Sequence, residues 1–221
     1  MLTVAAAALF IALGNWQLDR AAGKRALAAD FARAGPALPL AQAGEDAPRY
    51  LRVTTRGHYD PDHQFLLDNS GHDGEPGIQV LTPLVMADGR AVIVNRGWLA
   101  WGANRAALPA VPVPADERTV NGRLDRLPRP SIELASTPGS GWPKLVSFPH
   151  MEDLAPLLRR RLHPQQVLLD AGEPDGYLRD WRLPGTTAER HLGYAVQWFA
   201  FAATAFAIWF ALSPRRKGET G

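Results

Sequence analysis

The stretch Ile78–Trp98, IQVLTPLVMADGRAVIVNRGW, decides the fold class. Two apolar runs, Ile78–Met86 and Ala91–Trp98, flank Ala87–Asp88–Gly89–Arg90. Asp–Gly between two such runs predicts a β-hairpin, because the turn needs positive φ and glycine adopts it without a Cβ penalty. Working outward, Leu51, Val53 and Thr55 alternate with Arg52, Thr54 and Arg56, the period of a half-buried strand. Phe65–Asp68, Val120–Leu124, Lys144–Phe148 and Gln166–Asp170 are further short strand candidates between turn signals. Met151–Leu162 predicts one amphipathic helix, with Leu154, Leu157, Leu158 and Leu162 at helical spacing. Pro-rich segments at 109–114 and 128–130 predict loops. The centre of the chain is therefore expected to be a mostly antiparallel β domain, barrel- or sandwich-like.

Both ends are different. Leu2–Leu18 and Leu192–Leu212 carry no charge. As helices they reach about 25 Å and about 31 Å, against a hydrocarbon core of about 30 Å. A signal peptide needs a basic leader and a small-residue cleavage site, whereas the first run ends in Gly14–Asn15–Trp16–Gln17. Trp16 and Gln17 fit an interfacial anchor better. Asp19–Ala34 has few breakers and extends that helix until Gly35–Pro36. The expected class is an α+β membrane protein with two transmembrane helices flanking an extracytoplasmic β domain. The expected divisions are 1–18, 19–190, 191–213 and a cytoplasmic tail, 214–221. Arg215, Arg216 and Lys217 suggest a cytoplasmic side, although Arg20, Lys24 and Arg25 flank the opposite end of the first span.

With no cysteine, the chain has no thiolate nucleophile, disulfide, Cys-ligated metal or covalent c-type haem link. A net charge of +2 without a dense basic block argues against a nucleic-acid partner. Nucleotide-binding glycine fingerprints, serine elbows and zinc-protease motifs are missing, so the expectation is a protein that is not an enzyme. His58, Asp60, Asp62, His63, Asp68, His72 and Asp73 contain metal-ligating types, but their spacing fits no standard site and a polar loop explains them. Asn95–Arg96–Gly97–Trp98 either presents Arg96 and Trp98 to a partner or holds the fold internally. His191, Tyr194, Ala195, Trp198, Ala202, Ala205 and Trp209 share one helical face. That face is either a ligand site, with imidazole as a haem iron ligand, or an aromatic belt with alanines packed on the other span.

Four motifs in order carry a resemblance. Gly14–Asn15–Trp16–Gln17–Leu18–Asp19–Arg20, Gly57–His58–Tyr59–Asp60, Thr82–Pro83–Leu84 with Val94–Trp98, and His191–Phe199 resemble the Surfeit-one (Shy-one) family of cytochrome oxidase assembly factors. The resemblance implies two membrane helices around a domain facing the periplasm or the mitochondrial intermembrane space. It implies help in building the haem a site of cytochrome c oxidase subunit I, alongside the haem a synthesis machinery. It further implies haem a binding with His191 as iron ligand, Tyr194 and Trp198 as walls and Trp16 approaching from the first span. The other imidazole nitrogen is then expected to meet water or a carboxylate such as Glu189. Gln17, Arg20 and Asn95–Trp98 become partner-facing or structural positions. The alternative is a membrane-anchored scaffold that never ligates haem. This chain has Ala100 where the family often has Pro, and Glu189 where bacterial members often have Asn. The Ala- and Arg-rich composition, without a transit-peptide pattern, leads to an expected location in a bacterial plasma membrane, in contact with lipid.

Overall fold

The structure is a computed structural model that describes residues 2–33, 35–102, 107–128, 141–183 and 185–213. The tail at 214–221 and residues 129–130 of the expected loop lie outside the described residues. The chain forms two compact units, one of residues 33–182 and one of residues 1–32 with 183–221.

The first unit is built on β1 (Leu38–Pro39), β2 (Arg52–Tyr59), β3 (Phe65–His72), β4 (Glu75–Val85), β5 (Ala91–Ala100), β6 (Glu117–Asp125), β7 (Lys144–Val146) and β8 (Gln166–Leu169), with α2 (Met151–Leu158) before β8. The hairpin expected from Ile78–Trp98 is β4–β5, with Leu84 opposite Val92 and Val85 opposite Ala91. Its turn uses Gly89 at φ +79° and closes with the Met86 N–H on the Arg90 carbonyl. The sheet then closes on itself. β5 pairs with β8, β8 with β6, β6 with β2, and β2 returns to β4 at Tyr59–Leu84. Five strands thus form a small barrel, mostly antiparallel, with β5–β8 its parallel contact. β4 serves two neighbours on one edge: β3 along its first part and β2 at its end. β7 extends β3, and β1 extends β2, both in parallel.

The barrel interior is filled by Val53, Tyr59, Leu84, Val92, Val94 and Leu124, among others. Along β2 the burial alternates as the sequence predicts, with Val53, Thr55, Gly57 and Tyr59 inward. β5 instead is buried from Ala91 to Gly97 on both faces. Val92 and Val94 face the barrel, and Ile93 belongs to a second cluster with Phe65, Leu81, Leu154 and Leu158. That second layer is where α2 packs. α2 stops at Leu158, four residues before the expected end, because Arg159 turns left-handed at φ 52°. Leu162 is then free to bridge to Ala91 as a strand-like contact. β3 runs on past the expected Asp68 to His72, held by β4, while β7 ends at Val146.

The other unit is a pair of helices. α1 (Leu2–Ala32) is one continuous helix, as Asp19–Ala34 led us to expect, and α3 spans Ala188–Leu212. Among the described residues, α3 is the helix long and apolar enough to cross a membrane. α1 is apolar in its first half and carries Asp19, Arg20, Lys24, Arg25 and Asp30 in its second. The two run antiparallel: Gln17 meets His191, and Phe10 meets Trp198. Ala7, Gly14 and Ala21 recur every seven residues on α1, and Ala188, Ala195 and Ala202 do so on α3. All six are buried. A seven-residue repeat keeps one stripe against the partner, and small side chains let the backbones approach. A Cβ at Gly14 would stand 2.6 Å from the Phe199 ring, so a larger residue here would force that ring to shift.

The barrel closure is testable at Gly57, where β2 meets β4. A Cβ there would press on the Val85 carbonyl. Gly57→Ala should cost about 1–3 kcal/mol by overpacking. Gly44→Ala, with open space around it, should change stability by less than about 0.5 kcal/mol. Denaturant unfolding of the full chain in detergent measures both.

Candidate functional site

His191 lies in the first turn of α3, four residues after the cap Thr187, whose side chain accepts from the Arg190 N–H. Its Nδ1 sits 2.7 Å from Gln17 Oε1. An amide oxygen only accepts, so Nδ1 carries the hydrogen, and in the neutral ring the lone pair is then on Nε2. Gln17 is 8% exposed, buried between rungs of small residues at Gly14 and Ala21. The partner expected for this nitrogen was water or Glu189. Gln17 takes the role because the seven-residue stripe brings it opposite His191, whereas Glu189 stands two steps, about 200°, around α3.

The remaining positions on this unit divide into two groups. Trp198 is packed: it stacks on Phe10 at 5.7 Å and meets Phe201 edge-on at 5.8 Å. Ala195, Ala202 and Ala205, on the same face, are buried. Trp16 and Tyr194 are open, with 53% and 44% of their surfaces exposed, and Arg20 is exposed as well. Of the shared face read from the sequence, Ala195, Trp198, Ala202 and Ala205 form a packing seam with His191 at its polar end, whereas Tyr194 and Trp209 are exposed.

In the β unit, Asn95–Arg96–Gly97–Trp98 works inward. Arg96 is 3% exposed. Its Nε donates to the Asp175 carbonyl at 2.6 Å, Nη2 to the Pro112 carbonyl at 2.8 Å, and Nη1 to Gln64 Oε1 at 3.2 Å. Tyr177 and Tyr59 lie over the guanidinium at 5.1 Å and 5.8 Å. Burial pulls the guanidinium below its ordinary pKa, and Tyr177, Tyr59 and Asp175 oppose that shift. Burial pushes the Tyr59 hydroxyl up to about 12. Asn95 donates to Gln79 at 2.7 Å and accepts from the Gly97 N–H at 3.2 Å. Gly97, at φ +112°, approaches the Leu178 carbonyl so closely that a Cβ would stand 2.6 Å from it. The Trp98 indole donates to the Ser70 carbonyl at 2.7 Å. The motif therefore ties the 175–178 segment and the 111–112 loop to the barrel. Its partners Tyr59, Gln64, Thr82, Asp175 and Tyr177 come from four separate stretches of chain, so no local pattern announces their convergence.

The histidine- and acid-rich segment at 58–73 makes ordinary pairwise contacts, some local and some across the fold. His63 meets Asp60 at 2.9 Å, His72 meets Asp73 at 3.3 Å, and His58 meets the Ala115 carbonyl at 3.1 Å. Among the described residues, no three metal-ligating side chains converge.

Comparison with known proteins matches residues 4–203 to the SURF1 family. A SURF1-like protein of Monosiga brevicollis is 26% identical, over 93% of this chain and 83% of its own length. A SURF1-like protein of Mycobacterium tuberculosis is 27% identical, over 89% of this chain and 74% of its own.

The buried arginine predicts a large stability effect. Arg96→Met leaves several buried acceptors unpaired and should cost about 3 kcal/mol or more. Arg96→Lys keeps the charge but loses the planar fork, and should cost about 2 kcal/mol. Tryptophan fluorescence of the unfolding chain, through Trp98 and Trp142, measures the difference.

Proposed function

The chain belongs to the SURF1 family, and from that premise we propose that it is a membrane-anchored assembly factor for cytochrome c oxidase that binds haem a and aids its delivery to subunit I. The family is linked to cytochrome c oxidase assembly. In this proposal the protein performs no turnover. α3 is one span, the apolar first half of α1 is the second, and residues 33–182 face the periplasm of a bacterial inner membrane.

The observation that carries the haem reading is the Gln17–His191 contact. An imidazole held through Nδ1–H offers a fixed, basic Nε2 lone pair, the arrangement that metal-binding histidines use. Beside it stand the exposed rings of Trp16 and Tyr194. Flat aromatic surfaces suit a flat apolar macrocycle. The donor set therefore fits haem. When bound, haem a supplies the iron that accepts the nitrogen ligand. The protein's own part is to hold the tautomer through Gln17, to offer apolar contact and to shield that face from water. Trp198 supports the seam through its stack on Phe10.

The packing of this same face supports a second reading, a scaffold that holds oxidase intermediates without ligating haem. Ala195, Ala202 and Ala205 are committed to the helix pair, and a scaffold needs no more.

The optical spectrum separates the two. Haem-loaded protein in detergent should show a Soret band that His191→Ala abolishes while the β unit keeps its circular dichroism. His191→Met should lose the band's position as well, since thioether replaces imidazole. If neither substitution changes the spectrum, His191 is not the ligand. Gln17→Leu should weaken retention about tenfold or more, the usual scale for an orienting partner.

Topology has its own test. The chain has no cysteine, so Ala87→Cys in the exposed β4–β5 turn supplies a unique thiol. It should react with an impermeant reagent in intact spheroplasts. Labelling only after lysis would place the β unit in the cytoplasm.

A further inference from the structure

The helix pair has two flanks, and the contacts already described say which residues share each. Gln17 and His191 define the contact line. On α1, Trp16 is one step back from Gln17, about 100° around, and Arg20 is three steps on, about 60° to that same side. α3 runs the other way, so its residues wind in the opposite sense seen from one end. Arg190, one step before His191, and Tyr194, three steps after it, therefore fall on the same flank as Trp16 and Arg20. Gly14 and Phe199 fall by this rule together on the opposite flank, and they do touch there.

The four residues are also ordered in depth. At 1.5 Å per residue, Trp16 lies about 1.5 Å and Tyr194 about 4.5 Å towards the apolar end of the pair from the Gln17–His191 level. Arg190 lies about 1.5 Å and Arg20 about 4.5 Å towards the other end. All four are exposed. The nearest acids stand on the backs of their helices, about 160° from the contact line: Glu189 is turned away from this flank, and Asp19 lies about 60° beyond Trp16. One flank thus borders the Gln17–His191 contact, with two aromatic surfaces below that level and two arginines above it.

We infer that Arg20 and Arg190 bind the carboxylates of the macrocyclic ligand, so that a porphyrin is held with its acid edge outward and its ring against Trp16 and Tyr194. The inference rests on the haem reading above and adds the orientation and the ligand class: a tetrapyrrole with free propionates. Guanidinium groups suit this role because they stay charged and pair with carboxylates through two parallel N–H bonds. The gain per exposed pair is modest, so discrimination comes from both acting together. Arg20 and Arg190 are positioning residues here, and His191 alone would touch the metal.

The experiment uses the full chain in neutral detergent and two probes, ferric protoporphyrin IX and its dimethyl ester. Binding is read by the Soret band and by quenching of tryptophan fluorescence. The paired substitution Arg20→Gln with Arg190→Gln should weaken the diacid about tenfold, about threefold for each arginine. It should leave the diester within about twofold of the unsubstituted chain. Arg20→Lys with Arg190→Lys should recover most of the loss, because the charge returns. Equal weakening of diacid and diester, or no weakening of either, overturns the assignment while leaving haem binding intact. Failure of the unsubstituted chain to bind either probe overturns the haem reading and this orientation with it. The titrations are repeated in phosphatidylcholine discs with and without phosphatidylglycerol. An arginine effect confined to the anionic discs would assign both side chains to lipid phosphates and overturn the proposal.

Discussion

A guanidinium cannot be taken out of water without hydrogen-bond acceptors arranged around its edges, and the β unit is organised around that requirement at Arg96. Its neighbours are carbonyls of Asp175, Val111 and Pro112, the amide of Gln64 and the hydroxyl of Thr82. Among the described residues no carboxylate touches it directly; Asp175 spends its acid group on Arg118 at 2.9 Å. The charge is stabilised by oriented dipoles and two tyrosine faces. Such a cage works only if the loop at 111–112 and the segment at 175–178 arrive in place. It therefore fixes two irregular stretches that the sheet hydrogen bonds alone would leave loose. Trp98 and Gly97 extend the same clamp, through Ser70 and Leu178.

The helix pair obeys a different constraint. Its seam uses the smallest side chains at every seventh position, so the backbones lie close and larger groups must fit between the small rungs. Phe10 with Trp198 fills one such gap, and Gln17 with His191 fills another. A polar pair in this place is costly unless each partner satisfies the other, and here the amide oxygen and the ring N–H do so at 2.7 Å. The same pairing sets the tautomer. A packing requirement and a chemical one are thereby met by a single contact.

Chemical character separates the two units. The β unit buries its distinctive residues and presents an outer surface of paired charges, such as Arg56 with Glu117 and Arg182 with Asp73. The helical unit leaves aromatic and cationic side chains exposed around a polar contact. Asn95–Trp98 looks in the sequence like a signature for recognition, yet its donors are all directed inward. His191, a lone histidine in an apolar helix, has the more available chemistry.

The sequence by itself determined the local choices. Asp88–Gly89 dictates the β4–β5 turn, the alternation in Arg52–Tyr59 dictates which side of β2 is buried, and the uncharged run of Leu192–Leu212 dictates a helix of membrane length. These are legible because each depends on neighbours a few residues apart. The end of α2 was less legible, since Leu162 keeps helical spacing but is claimed by Ala91. Barrel closure, the cage around Arg96 and the choice of Gln17 over Glu189 were decided only by tertiary structure. Each joins residues far apart in the chain, 174 positions in the case of Gln17 and His191. The physical reason is that a hydrogen-bonding group accepts whichever partner packing brings within reach. That partner is set by how strands close and helices align, and no local pattern records it.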